Sequence, residues 1–156
     1  MMSRTLLFLL RIAAGWYFFY AGITKVLNPN WSAAGFLGNA KTFPELYAWF
    51  AQPDIIPWIN LLNEWGLTLI GAALILGIGV RVAAVFGIAI MVLYYFPALQ
   101  FPYAGAHGYI LDEHITYSLI LAYLAVMRAG RVWGLEKWCV NLPICARFPK
   151  LRAIIG

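Results

Sequence analysis

The chain has 156 residues, of which 63% are apolar, 17% aromatic and only 11% charged, with a formal net charge of +5. Soluble domains carry about 25% charged residues, so a soluble globule could not clothe its surface here, and disordered tails and nucleic-acid modules are excluded with it. The class that remains is an all-α integral membrane protein, because lipid offers no partner to open backbone groups.

Four apolar runs follow one another, each near the roughly 20 residues that carry a helix across a 30 Å hydrocarbon core. The first spans residues 5–27 and holds two charges, Arg11 and Lys25. Arg11 splits its apolar region, which a cleaved leader would need unbroken, so the run is expected to stay as a membrane helix. Residues 28–57 form a long connection with Trp31, Phe36, Phe43, Tyr47, Trp49 and Phe50, too aromatic for a solvated linker. Pro44-Glu45 marks a helix start, since Pro is tolerated and Glu favoured in a first turn. One or two short interfacial helices are predicted there. The second run, 58–80, is interrupted by Glu64, and a tight hairpin around Gly77 and Gly79 leads into the third, 82–99, which has no charge. A loop rich in Gly, Pro and Tyr precedes the fourth run, 110–127, whose first turn packs Asp112, Glu113 and His114. The pattern predicts an up-down four-helix transmembrane bundle over residues 1–130. A basic amphipathic tail, 131–156, follows, its Trp133, Leu135 and Trp138 lying on the inner leaflet.

Orientation follows from Lys and Arg. If both termini share a side, that side holds Arg4, Arg11, Arg81, Arg128, Arg131, Lys137, Arg147, Lys150 and Arg152 against Glu136 alone. The other side holds Lys25 and Lys41 against Glu45, Asp54, Glu64, Asp112 and Glu113. Both termini are therefore expected in the cytoplasm, with the protein a multi-pass component of the cell membrane. The basic charge then serves topology and contact with anionic lipid heads rather than nucleic acid.

Arg11, Gly15, Phe18, Gly22 and Lys25 recur at steps of 3 and 4, one stripe of the first helix, and a stripe with two charges and two glycines faces protein rather than lipid. Asn60, Asn63, Glu64, Thr68 and Gly71 form a comparable stripe on the second. At 1.5 Å per residue Lys25 and Glu64 share a level, and an ion pair between them is expected, with His114 and one of Asp112 or Glu113 beside it. Arg11 has no acid at its own depth and is expected to snorkel or to donate to backbone carbonyls. Such a cluster either locks helix register or marks a proton or substrate path; the desolvation cost of an ion pair favours the second reading for Lys25 and Glu64. For Asp112 and Glu113 helix capping serves equally well.

Metal and nucleotide chemistry find no motif. His107 and His114 lack the further ligands that zinc needs, and no Walker loop or dinucleotide fingerprint is present. Cys139 and Cys145 form neither a redox pair nor a zinc motif and read as reduced thiols on the cytoplasmic side.

Arg11-x3-Gly15-x6-Gly22-x2-Lys25 and Glu64-x-Gly66-x4-Gly71-x5-Gly77-x3-Arg81 resemble the helix patterns of the DoxX family of small four-helix membrane proteins. Residues 31–37 (WSAAGFL), Asp112-Glu113-His114-Ile115-x-Tyr117 and Gly134-Leu135-Glu136 are closer still to its DoxD-like branch, the membrane subunit of thiosulfate:quinone oxidoreductase. The resemblance implies a subunit that passes electrons from thiosulfate to a quinone, yielding tetrathionate, together with a separate redox partner chain. Lys25 and Glu64 fall on the family's charged positions and His114 on the DoxD-like histidine. On this reading Lys25, Glu64, His114 and Asp112 form the catalytic set, and Trp31, Tyr94, Tyr95 and Tyr117 supply the wall for a flat quinone ring. The competing expectation is a non-enzymatic assembly or scaffold protein for a redox partner, able to self-associate. Solute transport is disfavoured, since no broken-helix repeat is visible.

Overall fold

The computed structural model describes residues 2–104 and 108–139. The first apolar run is one continuous helix, α1 (Met2–Val26), and the predicted stripe is its buried face: Arg11, Gly15, Phe18 and Gly22 lie inside, with Leu7 and Ala14. Two short helices, α2 (Ala34–Gly38) and α3 (Pro44–Phe50), occupy the long connection, and α3 opens at Pro44 as its turn chemistry dictates. The second and third runs are α4 (Ile56–Leu76) and α5 (Val80–Ala98). Between them Gly77 (φ +67°) and Gly79 (φ +59°) adopt the left-handed conformation that a tight helical hairpin needs.

α1, α4 and α5 are long and apolar enough to cross a membrane. The fourth run differs from expectation. Its helix, α6 (Glu113–Val126), has 14 residues, about 21 Å of rise. Asp112 ends the preceding segment by capping α6, its Oδ1 accepting from the amides of His114 (2.9 Å) and Ile115 (3.1 Å). The residues ahead of it form a small antiparallel sheet instead of helix: β1 (Leu99–Gln100), β2 (Tyr103–Ala104) and β3 (Gly108–Tyr109), in that order. After α6 come a 3₁₀ turn (Ala129–Arg131) and a short α7 (Glu136–Cys139). His107, Cys145 and the tail beyond Cys139 lie outside the described residues.

α1 packs along α4, and α5 along α6, with α4 against α5 closing the set; α1 and α6 touch sparsely. Glycines permit the α1–α4 approach. Gly22 rests on the Thr68 amide and Gly71 on the Phe19 backbone, so a Cβ at either would run into main chain. Phe18, Leu67, Leu74, Leu121 and Leu124 fill the centre.

A proline anchors the connection between α1 and α4. Pro97 lies inside α5 and has no N–H for the carbonyl four residues earlier. That carbonyl, on Leu93, instead accepts from the hydroxyl of Tyr47 in α3 at 2.9 Å. Tyr47 is buried, and burial pushes its hydroxyl above the usual range, keeping it a donor. The Lys41 amide donates to the Pro97 carbonyl (3.1 Å) and the Thr42 hydroxyl to that of Leu99 (2.7 Å), so the same segment covers the last turn of α5.

Candidate functional site

Two polar clusters, one half-buried and one buried, lie at opposite ends of the helices. At the end that carries α2 and α3, Lys25 closes the last turn of α1. Its Nζ donates to Asn63 Oδ1 at 2.9 Å and to the Tyr94 hydroxyl at 3.2 Å. It also stands 4.8 Å from the centre of the Trp31 ring and 5.4 Å from that of Tyr94, within cation–π range. The expected ion pair with Glu64 is not what holds the ammonium. Glu64 acts on Lys25 through space without closing a contact, because neighbouring helix positions point about 100° apart and Asn63 is the one turned inward.

Tyr94 is the hub. Its ring meets His114 edge-on at 5.9 Å and Phe36 at 5.8 Å. His114 Nδ1 lies 2.6 Å from Asp112 Oδ2, and both side chains are largely shielded. In the neutral tautomer that donates Nδ1–H to the carboxylate, Nε2 offers a lone pair, the arrangement of an oriented general base. Asp112 thus caps the helix with one oxygen and holds the imidazole with the other.

Tyr117 lies a turn deeper, stacked on Tyr17 at 4.0 Å and 18°, with Glu113 within electrostatic reach of both rings. Tyr95 is not part of the cluster. Its hydroxyl donates to the Ile110 carbonyl at 2.6 Å and its ring packs on Phe96. Of the eight predicted site residues the structure gathers Lys25, Trp31, Tyr94, His114 and Asp112 into one chain of contacts, with Tyr117 below and Glu64 alongside. The partner that sequence reasoning passed over is Asn63. Asn60 was equally legible on that stripe, and it ties the loop down by accepting from the Ala33 amide at 2.9 Å. A groove of about 560 Å³, lined by Gly35, Phe36, Lys41, Gln100 and Tyr103 among others, opens beside the cluster; Phe36 stands between it and Tyr94.

At the opposite end Arg11 is fully buried, at 0% exposure, and Glu136 nearly so, at 2%. The expectation that Arg11 meets a carbonyl is met by Trp133, whose oxygen accepts from Nη2 at 3.4 Å. The segment after α6 also brings an acid to Arg11's depth. The amides of Leu135 and Glu136 donate to the carbonyls of Leu76 (3.1 Å) and Gly77 (2.9 Å), folding the chain back onto the α4–α5 hairpin. Gly77 and Gly134 leave room for the guanidinium and Gly130 for the carboxylate; a Cβ at any of the three would collide. Within the described residues, Nε and Nη1 of Arg11 and Oε2 of Glu136 make no hydrogen bond. Burial pushes the Glu136 carboxyl above its usual range, while Arg131, Arg81, Arg11 and Arg128 pull it down.

The family model described as DoxX matches residues 6–100, more than half of the chain, which includes Arg11, Lys25, Asn63, Glu64 and Tyr94 and stops short of α6. No curated protein and no solved structure matches.

Proposed function

The chain belongs to the DoxX family, and from that premise we propose a membrane subunit of a quinone-linked oxidoreductase, of the DoxD-like branch. Two thiosulfate ions would join through a new S–S bond into tetrathionate, releasing two electrons at a separate redox partner subunit. A quinone, when bound, supplies the acceptor of two electrons and two protons. In this reading α6 completes the membrane domain as a fourth, short helix, both termini face the cytoplasm, and the Lys25 cluster lies near the outer surface.

The observation that carries the proposal is the arrangement about Tyr94, with an ammonium on its hydroxyl and an oriented imidazole on its edge. The donor set fits a carbonyl oxygen. Lys25 donates hydrogen bonds and opposes developing negative charge. The Tyr94 hydroxyl, which accepts from Lys25, keeps its own proton to donate, and His114, held by Asp112, can pass protons. Trp31 and Phe36 give a flat apolar wall. Tyr117 with Glu113 extends the polar path inward, and Glu64 adds a second acid within reach of Lys25.

The test is thiosulfate-dependent quinone reduction in membranes carrying the full chain and its partner, with quinone extracted from the purified protein and identified by chromatography. His114→Ala is expected to lower turnover by about a hundredfold. Asp112→Asn separates the two roles of that residue. Asparagine caps a helix as well as aspartate, so stability should stay within about 0.5 kcal/mol, whereas turnover should fall about tenfold as the imidazole loses its anionic partner. Unchanged turnover in a folded His114→Ala protein would reject the reading.

One observation favours a second reading, an assembly or scaffold protein: the Lys25 ammonium is already bonded to Asn63 and Tyr94, as a pure structural lock requires. On that reading Asn63→Leu destabilises the protein, no quinone co-purifies, and a partner protein is lost from pull-downs.

A further inference from the structure

The fold gathers arginines that the sequence scatters. Arg81 opens α5, Arg128 follows α6, and Arg131 ends the 3₁₀ turn, 47 to 50 residues from Arg81. The amides of Leu135 and Glu136 bond the carbonyls of Leu76 and Gly77, and Gly130 packs against Val80 and Glu136. The 3₁₀ turn, with Arg128 before it and Arg131 at its end, therefore lies against the start of α5 where Arg81 sits. All three, with Arg11 from inside, act electrostatically on the buried Glu136 carboxylate. Four arginines then act through space on a single carboxylate. Arg11 is sealed within the protein, but Arg128 and Arg131 are exposed and Arg81 is half-buried. The surplus positive charge therefore reaches the surface where the membrane helices end.

The neighbouring surface is apolar. Val85 and Phe86, one turn along α5 from Arg81, and Val126 and Met127, at the end of α6, are all exposed. Trp133 is exposed as well, its ring edge on Phe8 at 5.3 Å, and an exposed Trp at the end of a helix bundle suits a headgroup boundary. A cationic cluster above an apolar flank matches a molecule with an anionic head and aliphatic tails.

We propose that Arg81, Arg128 and Arg131 form a binding site for the headgroup phosphate of an anionic phospholipid, whose acyl chains lie along Val85 and Phe86. Planar guanidinium groups suit phosphate oxygens, to which they donate paired hydrogen bonds. The site does not require the arginines to be otherwise unengaged: a guanidinium has five N–H donors and can serve a protein acceptor and a phosphate together. Glu136 positions the cluster from beneath and leaves it net positive. The proposal is independent of any redox reaction at the opposite end.

The experiment releases the full-length protein from nanodiscs of equal phosphatidylglycerol and phosphatidylcholine and counts retained lipid by native mass spectrometry. Phosphatidylglycerol should be retained about tenfold more often than phosphatidylcholine. The double variant Arg128→Gln/Arg131→Gln, checked for an unchanged melting temperature, should lose that preference. Arg128→Gln alone, at an exposed position, provides a milder variant if the double one does not fold, and should lower the preference severalfold. Arg4→Gln, at the same end of the molecule but outside the cluster, should leave it intact. Equal retention of the two lipids, or a preference that survives in the folded Arg128 and Arg131 variants, overturns the proposal. So does full displacement of the retained lipid by millimolar inorganic phosphate, which would mark a site for a free anion.

Discussion

Arg11→Met is expected to destabilise the protein by about 1–3 kcal/mol, because it removes a fully buried guanidinium that bonds the Trp133 carbonyl and is one of four arginines acting on the buried Glu136 carboxylate. The double variant Arg11→Met/Glu136→Met should recover most of that loss, since an apolar pair of similar volume pays no desolvation cost. The single variant should also acquire a pH dependence. Burial already holds the Glu136 carboxyl above its ordinary value of 4.5, and Arg11 is one of four arginines that pull it back. Without Arg11 it rises further, so the folded protein keeps a proton that the unfolded chain has released. Stability from such a group is complete below about pH 4.5 and is lost as pH climbs through the raised value. Thermal unfolding in detergent should therefore show Arg11→Met weaker at pH 8 than at pH 5, with the wild type flatter across the same interval. A single variant as stable as wild type at both pH values would show that Arg11 and Glu136 are not energetically coupled.

Gly71→Ala is the second large effect. The added methyl has no side chain to push aside; it meets the Phe19 backbone, so α1 and α4 must part. Overpacking of this kind costs about 1–3 kcal/mol, and backbone contact places it at the upper end. Gly22→Ala, against the Thr68 amide, should act alike. Gly35→Ala and Gly38→Ala in α2 are the controls, for nothing lies within 4 Å of the added carbon. Because α1 carries Lys25 and α4 carries Asn63, separating the helices also lengthens the 2.9 Å bond between them. Gly71→Ala should thus impair any activity that depends on Lys25 without touching the site. Chemical unfolding together with the turnover assay checks both arms, and wild-type behaviour in either would refute the close approach.

The helical period made α1 legible: Arg11, Gly15, Phe18 and Gly22 were expected on one face and are buried together. The hairpin glycines and the start at Pro44 were equally readable, since each has a local backbone reason. Register finer than one residue was not. Depth along the helix axis chose Glu64 for Lys25, and the expected aromatic wall put Tyr95 beside Tyr94. Yet one residue along a helix turns a side chain away from its neighbour's direction, and Asn63 and Tyr94 are the inward pair. The strands at 99–109 escaped because two-residue strands leave no alternation to detect. Glu136 was the least visible. It is a lone acid in a basic stretch, ordinarily a solvated residue. Its burial follows from the room at Gly130 and from the bond of its amide to the Gly77 carbonyl, which come together only in three dimensions.

The bond between Tyr47 and Leu93 has a consequence for how this chain can vary. A carbonyl left unclaimed by Pro97 gives the tyrosine hydroxyl its acceptor, so the two residues are coupled through that bond. Among related chains, those that carry an ordinary residue in place of the proline should be free to exchange the tyrosine for phenylalanine, and the two positions should drift as a pair.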